Sequence, residues 1–227
     1  MPFAPLPGPF LDEAGALASR PHTVLELGCG GGGLTGILRR LGLQVVALDR
    51  VRPLPQGEAA LLGDALAPPV RTGACDLVVA ANLLRHLAAR RRIRDVLAPW
   101  TGLLRPGAAL YLFEDAPRPA RGPAGNYGRL HGLLHRLDPA TRGPLLEVAP
   151  CLEAARELGL RADSGQWTNT WPVDPAAVLA MLRSGRPRVG GEVDDLIAGI
   201  EREGIVCGPA WWMRARQDET LTGSAAR

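Results

Sequence analysis

The stretch 24-VLELGCGGGGLTGIL-38 places a run of glycines between two apolar segments. Residues 23–27 are β-branched and leucine-rich, which predicts a short strand. The leucines and isoleucine after the glycines repeat at helical spacing as far as Gly42. Glycines between a strand and a helix let the backbone turn sharply and approach a ligand, with amide groups free at the start of the helix. The stretch therefore predicts a strand–loop–helix unit that binds a nucleotide.

The glycines fit two nucleotide fingerprints at once. Gly28, Gly30 and Gly33 spell G-x-G-x-x-G, the turn that holds the pyrophosphate of a dinucleotide. Gly28, Gly30 and Gly32, with Glu26 ahead of them, spell E-x-G-x-G-x-G, which is typical of an S-adenosylmethionine site. Asp49 closes the next predicted strand, where a carboxylate can accept both ribose hydroxyls in either kind of site. The loop and Asp49 together leave both nucleotides open.

Apolar runs alternate with helical patterns along the rest of the chain. Further strands are predicted at 44–49, 60–65, 76–82, 108–115, 164–173 and 206–217, and helices at 83–104, 127–137, 145–160, 175–184 and 192–203. Strands that alternate with helices at this spacing form βαβ units with right-handed crossovers. The order predicts an α/β fold with a Rossmann-like, seven-stranded, mostly parallel sheet and helices on both faces.

Three features favour S-adenosylmethionine over a dinucleotide. Glu26 stands where a dinucleotide fold usually has a small or apolar residue, and its carboxylate can organise the loop around an ammonium group. The third strand ends in Gly63-Asp64-Ala65, which places an acid where it could accept from the adenine amino group. The chain ends in an aromatic strand pair with a long insert, and not in a second mononucleotide-binding half.

The segments that carry these features resemble the class I S-adenosylmethionine-dependent methyltransferases, in particular the small-molecule group typified by ubiquinone- and menaquinone-biosynthesis enzymes. They are 24-VLELGCGGGG-33, 47-ALDR-50, 63-GDAL-66, 76-DLVVAANLLRHL-87 and 104-LRPGAALYLFED-115. The resemblance covers about residues 20–115 and implies an antiparallel last strand. It implies S-adenosylmethionine as cofactor and S-adenosylhomocysteine as product. The residues implied to bind it are Glu26, Gly28, Cys29, Gly30, Gly32, Asp49, Arg50, Asp64, Ala65, Ala81 and Asn82.

The catalytic residues are less defined by the sequence. Methyl transfer from a sulfonium is an in-line displacement that needs alignment more than it needs a base. The candidates are His86, four positions past Asn82, and Tyr127 and His131, which follow a Pro/Gly/Arg-rich linker. No metal site is expected, because His131 and His135 share a helix face without a nearby third ligand. Glu114 and Asp115 are expected to face the same cleft.

Composition bounds the remaining possibilities. The 227 residues suit one domain, with a cofactor-binding core at about 20–115 and an acceptor lid at about 116–150 and 174–204. The prolines near the start and the lack of a long apolar run predict a cytoplasmic protein without a membrane partner. The net charge is +3, and arginine supplies all of the 26 basic residues.

These observations predict methyl transfer from S-adenosylmethionine to a small-molecule acceptor. An RNA or protein methyltransferase is an alternative, because 90-RRRIR-94 forms a basic face and the pI is about 8.9. A non-catalytic S-adenosylmethionine-binding regulatory protein is a second alternative. The sequence gives nucleic acid less support than a small molecule as the partner, and it leaves the oligomeric state open.

Overall fold

The computed structural model describes residues 6–52, 59–117, 121–139, 142–168, 173–185 and 191–217. The strands are β1 (Val24–Leu27), β2 (Val45–Asp49), β3 (Ala60–Leu62), β4 (Cys75–Ala81), β5 (Leu104–Asp115), β6 (Leu160–Thr168) and β7 (Pro209–Gln217). The helices are α1 (Gly8–Ala18), α2 (Gly33–Arg40), α3 (Leu84–Ala88), α4 (Ile93–Thr101), α5 (Gly122–Leu137), α6 (Val148–Glu157), α7 (Pro175–Gly185) and α8 (Gly191–Glu203).

All seven strands form one sheet in the order β3-β2-β1-β4-β5-β7-β6. The pairs β1–β2, β1–β4, β2–β3 and β4–β5 are parallel, whereas β7 is antiparallel to both β5 and β6. The Rossmann-like, mostly parallel sheet and its antiparallel last strand are therefore confirmed. The strand order reverses direction between β1 and β4, and ligands bind such sheets beyond the carboxyl ends of the strands at that point.

Helices cover both faces of the sheet. The side chains of β5 alternate between the two layers of core that lie under these helices. Leu110 and Leu112 pack with Trp100 and Met213 in a cluster under α4 and α6. Tyr111 and Phe113 pack on the other face of the sheet. The ring of Phe10 from α1 makes a T-shaped contact with each of them, with centroids 5.0 and 5.3 Å apart. The two successive tryptophans of β7 likewise bury on opposite faces and serve as core residues.

Helix α1 is an element that the sequence reasoning did not predict. Phe10, Ala14 and Leu17 are its buried residues, and their spacing matches one face of a helix. Pro7 is the N-cap residue and Pro9 lies in the first turn. Proline is compatible with the first turn of a helix, because the amide group that it lacks has no intrahelical partner there.

The prediction of one helix over 83–104 is wrong. The segment divides into α3 and α4, and β5 already begins at Leu104. Arginines occupy the break at 90–92, and arginine is a good helix former, so helix propensity gives no reason for the break. Residues 105–107 lie within β5, at the point where its pairing with β4 changes register between Cys75 and Leu77.

The other boundaries shift by a few residues. β6 begins at Leu160, four residues before its expected start, and is described as far as Thr168. Residues 169–172 of the predicted strand lie outside the described residues. α6 begins at Val148, so Pro150 lies in its first turn and does not interrupt it. The two helices predicted in the insert are present as α7 and α8.

Helices α5, α7 and α8 share an apolar cluster of their own. Leu130 and Leu133 of α5 pack with Leu196 and Ile200 of α8 and with Leu182 of α7. These helices come from the two segments predicted to cover the acceptor. Within the described part of the chain, no helix combines the length and the apolar character that crossing a membrane requires.

Candidate functional site

The glycine loop follows β1 at the carboxyl edge of the sheet. Gly28, Gly30 and Gly32 have φ angles of 71°, 49° and 79°, a backbone region that glycine enters without strain. The Gly28 amide donates to the Leu48 carbonyl at 2.8 Å, which fastens the loop to β2. A Cβ on Gly28 would lie 2.9 Å from Leu83 Cδ1, so a side chain there would force Leu83 to move. The three glycines of E-x-G-x-G-x-G are thus required by the backbone of the loop.

Two cavities share Gly28 in their linings. The first, which we call the Asp49 cavity, has a volume of about 340 Å³. Its lining includes the predicted residues Asp49, Arg50, Asp64 and Ala65, with Gly28 at its border. The second, the Glu26 cavity, has a volume of about 630 Å³. Its lining includes the predicted residues Glu26, Gly28, Cys29, Gly32, Ala81 and Asn82.

The Asp49 cavity combines carboxylates with apolar walls. Asp49 Oδ2 accepts from the Gly30 amide at 2.8 Å, so the acid at the end of β2 also shapes the glycine loop. Asp64 Oδ1 accepts from the Leu66 amide at 2.9 Å. The remaining walls are supplied by Leu48, Leu66, Leu83 and Leu87, together with His86 and the arginines at 90 and 91. A cavity with apolar walls and acids at two strand ends fits a nucleoside.

Glu26 is the buried acid of the Glu26 cavity. Its side chain is 2% exposed, and Thr35 Oγ1 donates to its Oε2 at 2.6 Å. Burial raises the pKa of Glu26 to about 7, although the Thr35 hydroxyl and the Arg39 guanidinium both act to lower it. A carboxylate that is costly to ionise here would be stabilised by a cationic ligand group. This property fits the ammonium end of an amino-acid cofactor.

A hydrogen-bonded network joins β4, α3, β5 and α5 beside the Glu26 cavity. Asp115 is fully buried and accepts from Arg85 Nη1 at 3.2 Å and from Tyr127 Oη at 3.1 Å. The Asp115 amide donates to Asn82 Oδ1 at 3.1 Å. Asn82 has a φ of 52°, and asparagine is one of the few side chains that tolerate this region. The network holds Asn82 and Tyr127 in the wall of the cavity.

Tyr127 remains protonated in this network. Burial raises the pKa of its phenol, and the Asp115 carboxylate adds to the effect. Its hydroxyl therefore acts as a hydrogen-bond donor over the physiological pH range. A protonated phenol can orient an acceptor, but it is not a base.

The three catalytic candidates do not meet at one point. His86 lines the Asp49 cavity, where its Nδ1 accepts from the Gly143 amide at 3.2 Å. Tyr127 lines the Glu26 cavity. His131 packs one turn further along α5, with its ring centroid 4.5 Å from that of Tyr127. Tyr127 is thus the candidate placed beside the residues predicted for the methionine end of the cofactor.

Glu114 and Asp115 do not face the same cleft, so that expectation is corrected. Successive side chains of a strand point to opposite faces. Asp115 meets Tyr127, whereas Glu114 Oε1 accepts from the Arg85 amide at 3.4 Å on the other side of β5. Burial raises the pKa of Glu114 to about 7, and it lines neither cavity.

Several lining residues were not identified from the sequence. Arg40 and Ile37 lie on the same face of α2 as Gly33 and Gly36, a relation that helical spacing could have indicated. Cys207 lines the Glu26 cavity from the segment before β7, and no local pattern points to it. Arg85 and Asp115 meet across 30 positions of sequence, and this pairing depends on the topology.

Comparison with known proteins relates part of the chain to methyltransferases. Residues 25–112 match the family model described as "Methyltransferase domain". The mouse tRNA (carboxymethyluridine(34)-5-O)-methyltransferase ALKBH8 is 34% identical over 95 residues, which are 40% of this chain and 14% of that protein. The chain therefore spans about a seventh of the length of the curated relatives that it matches.

Solved structures share the fold over most of the chain. A cyclopropane-fatty-acyl-phospholipid synthase-like protein from Lactobacillus casei has a TM-score of 0.61 at 15% identity, with 91% of this chain and 90% of that chain covered. Geranyl diphosphate C-methyltransferase from Streptomyces coelicolor, solved with Mg²⁺, geranyl diphosphate and S-adenosyl-L-homocysteine, has a TM-score of 0.53 at 14% identity. The comparison covers 92% of this chain and 77% of that chain.

The sheet order, the glycine loop and the strand-end acids define the class I S-adenosylmethionine-dependent methyltransferase fold. The described chain has this fold, and its residues 25–112 are similar to a methyltransferase domain.

Proposed function

We propose that the protein transfers a methyl group from S-adenosylmethionine to a small-molecule acceptor. The observation that carries the proposal is the pair of cavities that share Gly28 in their linings, one lined by strand-end acids and the other by a buried acid. Together they offer a nucleoside site and an amino-acid site joined at one glycine.

The residues present fit this cofactor. Asp49 would accept the ribose hydroxyls, and Asp64 with Ala65 would bind the adenine between the apolar walls of the Asp49 cavity. In the Glu26 cavity, Glu26 would pair with the ammonium group, because it is a buried carboxylate with a raised pKa. A lone glycine loop would also suit a pyrophosphate. The buried carboxylate disfavours one, since an anion beside it would add repulsion to the cost of burial.

When bound, the cofactor supplies an electrophilic methyl group on a sulfonium with a good leaving group. The protein then has to align an acceptor with that methyl and exclude water. Asn82, which follows β4, and Tyr127, in the second turn of α5, lie in the cavity wall and can orient the acceptor. Asp115 holds both of them, because its amide donates to Asn82 Oδ1 and its carboxylate accepts from Tyr127 Oη. Arg85 pairs with the same carboxylate.

A small acceptor is supported by the size of the Glu26 cavity. About 630 Å³ falls within the range of small-molecule sites, on the order of 300–1,000 Å³. Helix α5 supplies a wall of this cavity through Tyr127, and α5 also packs against α8. Residues 116–150 and 174–204 would thus form the acceptor lid of a single methyltransferase domain.

Calorimetric titration with S-adenosylmethionine, S-adenosylhomocysteine and NAD(H) tests the cofactor. We expect binding of the two sulfur nucleotides and none of NAD(H); the reverse pattern would reject the proposal. Release of S-adenosylhomocysteine on incubation with small-molecule fractions of cell extract then tests turnover. Cofactor binding without turnover in any fraction would favour the non-catalytic regulatory alternative.

RNA is the second candidate acceptor, and a cluster of arginines supports it. Arg50, Arg90 and Arg91 line the mouth of the Asp49 cavity and form no ion pair with another described residue. Arg92 and Arg94, from the same segment, lie 3.5 and 3.7 Å from Glu157 Oε2. Free guanidinium groups beside a cofactor cavity are suited to phosphodiesters. A relative of this chain is described as a tRNA methyltransferase.

Two double variants distinguish RNA docking at this arginine cluster from non-specific attraction of RNA to a basic protein. R90Q/R91Q and R92Q/R94Q remove the same charge from the same segment, but only the second pair is engaged by Glu157. If RNA binds at the rim, R90Q/R91Q lowers the affinity for total tRNA and reduces the salt slope by about two, whereas R92Q/R94Q changes both less. Equal effects of the two double variants would indicate non-specific attraction and reject RNA docking at this rim.

A further inference from the structure

A further cavity opens at the edge of the sheet where β4 and β5 begin, opposite the edge that carries the glycine loop. We call it the amino-edge cavity. It has a volume of about 440 Å³ and lies between α1, the start of β5 and the end of β7. The strand from Ala108, in its lining, to Asp115, beside the Glu26 cavity, spans about 23 Å. The amino-edge cavity is therefore separate from the two proposed cofactor cavities.

The charges around the amino-edge cavity balance. Its lining includes three carboxylates and three guanidiniums, those of Asp12, Glu13, Asp76, Arg20, Arg214 and Arg216. Arg20 Nη1 donates to Asp76 Oδ1 at 3.3 Å, and Arg214 donates to both carboxylate oxygens of Asp163 at 2.8 and 2.9 Å. The rest of the wall includes the apolar residues Pro9, Ala16, Leu17, Pro106 and Ala108. Because an ion of either sign would meet like charges in this lining, the cavity favours a neutral ligand.

The ion pair between Glu13 and Arg216 leaves one donor and one acceptor unused. Arg216 Nη2 lies 2.8 Å from Glu13 Oε1, and this contact joins α1 to β7. Among the described residues, Glu13 Oε2 and Arg216 Nε have no hydrogen-bond partner, although both atoms are buried. Such atoms are rare in folded proteins, because they lose their hydrogen bonds to water and gain none in return. The pair thus offers an unmet N–H donor and an unmet carboxylate oxygen.

The nearest hydroxyl does not meet this demand. Tyr111 lies on β5, and its Oη donates to the Pro9 carbonyl at 3.0 Å. Burial raises the pKa of the Tyr111 phenol, and the neighbouring Glu13 carboxylate adds to the effect. The phenol therefore keeps its single proton, and that proton is committed to Pro9. Glu13 Oε2 is left to accept from a group that enters through the cavity.

A primary carboxamide carries both of the groups that the ion pair lacks. Its oxygen accepts from an N–H, and its NH₂ group donates to a carboxylate oxygen, so one planar group serves both atoms. A carboxylate could only accept, and it would be repelled by Glu13. An amidinium could only donate, and it would be repelled by Arg216. The cavity volume falls within the range of small-molecule sites, on the order of 300–1,000 Å³, so it has room for an apolar body behind the carboxamide.

We infer that the amino-edge cavity is a second ligand site, which binds a small neutral molecule with an apolar body through its primary carboxamide. The carboxamide inserts between Glu13 Oε2 and Arg216 Nε. The two side chains meet through a contact at their other ends, so they can part to admit it. The site is independent of the proposed methyl transfer, because none of its lining residues lines either cofactor cavity.

Three benzene derivatives of nearly the same shape test the ligand chemistry on the full chain. Benzamide carries a donor and an acceptor, benzoate carries acceptors alone, and benzamidinium carries donors alone. Each is titrated into ¹⁵N-labelled protein, with the amide signal of Gly107, which lines the cavity, as the reporter. We expect benzamide to bind with a Kd on the order of 1 mM, as suits a ligand of its size. Benzoate and benzamidinium should bind at least about tenfold more weakly, the effect of one lost charged hydrogen bond.

R216K and R214K are the matched variants for the residue assignment. Both keep a positive charge at a position of β7 that lines the cavity, but lysine lacks the Nε–H donor of arginine. Arg214 Nε is already bound by Asp163 at 2.8 Å. R216K should therefore weaken benzamide binding about tenfold, and R214K less than about twofold. The Nε–H signal of Arg216, identified by its loss in R216K, should shift when benzamide is added to the wild type.

Several results would overturn the proposal. They are equal binding of the three compounds, equal effects of the two variants, and no shift at Gly107 with benzamide. A shift at Gly28 without one at Gly107 would place benzamide at the cofactor cavities and would also overturn it. The comparison of the three compounds uses the wild-type protein, so it decides the question even where R216K fails to fold.

Discussion

The buried carboxylate of Glu26 gives the protein a stability that depends on pH. The pKa of Glu26 is about 7 in the folded protein against an ordinary value of 4.5. The folded state therefore holds this proton more tightly than the unfolded state does. The corresponding contribution to the free energy of unfolding is complete below pH 4.5 and is lost as the pH rises through 7. At about 1.4 kcal/mol per pH unit, the loss amounts to about 3 kcal/mol.

The substitution Glu26→Gln removes this titration while it keeps the shape of the side chain. The glutamine oxygen can still accept from Thr35 Oγ1, which lies 2.6 Å from Glu26 Oε2. We expect the free energy of unfolding of E26Q, relative to that of the wild type, to rise by about 3 kcal/mol between pH 5 and pH 8.5. Urea unfolding at both pH values measures it. The stability difference between the two proteins is compared between the two pH values, because any effect of the substitution that does not depend on pH then cancels.

Glu114→Gln is the matched control for this experiment. Glu114 is also 2% exposed and its pKa is also raised to about 7 by burial, but it lines neither cavity. E114Q should reproduce the stability gain at high pH. Its affinity for S-adenosylhomocysteine should stay within twofold of wild type, whereas E26Q should bind at least about tenfold more weakly, the effect of losing one charged hydrogen bond.

Cofactor affinity supplies the second measurement. Protonation of Glu26 competes with the ligand ammonium, so wild-type affinity for S-adenosylhomocysteine should fall about tenfold between pH 8 and pH 6. E26Q should show no such dependence. A stability difference that is the same at pH 5 and pH 8.5, or a cofactor affinity that E26Q leaves unchanged, would refute the role assigned to Glu26.

Three further predictions follow from single contacts. Asp49→Ala should lower cofactor affinity at least about tenfold in calorimetry, because it removes both the expected ribose acceptor and the partner of the Gly30 amide, 2.8 Å away; unchanged affinity would mean that the ribose assignment is wrong. Gly143→Ala should cost about 2–3 kcal/mol in urea unfolding, since its Cβ would lie 1.7 Å from the Arg85 carbonyl oxygen. Its control is Gly132→Ala, where the nearest atom is an arginine side-chain nitrogen at 3.5 Å and the change should be neutral or stabilising. Tyr127→Phe should lower the rate of methyl transfer while cofactor affinity stays within twofold, because the lost hydroxyl donates to Asp115 in the network that holds the Asn82 and Tyr127 wall of the cavity; a loss of cofactor affinity alone would place Tyr127 in the cofactor site.

Local patterns were sufficient to predict the core of the fold and much of the candidate site. Glycines that need positive φ and acids at strand ends are fixed by the backbone of each βα unit, so sequence order alone brings them to one edge of the sheet. For this reason Glu26, Gly28, Asp49 and Asp64 could each be proposed as a cofactor-binding residue before any contact was known.

The rest of the site depends on contacts between distant segments. Asp115 accepts from Arg85 and from Tyr127, and nothing near any of the three residues in sequence indicates the pairing. The break between α3 and α4 is also non-local, because the arginines in it are good helix formers. By contrast, the error about Glu114 was avoidable, since strand alternation allows only one of two successive acids to face a given side.

Under the proposed function, Glu26 would also distinguish between the two nucleotides that the glycine loop could bind. With a pKa of about 7, its carboxyl is half ionised at neutral pH in the absence of a ligand. A pyrophosphate near this position would raise that pKa further and would bind an already disfavoured anion. An ammonium group would lower the pKa and recover the free energy that burial costs. The glycines permit either ligand, because they supply only space and amide groups. Under the proposed function, the buried acid before them would make the loop selective for an ammonium, and the same burial predicts that the ligand-free protein is less stable at neutral pH than the E26Q variant.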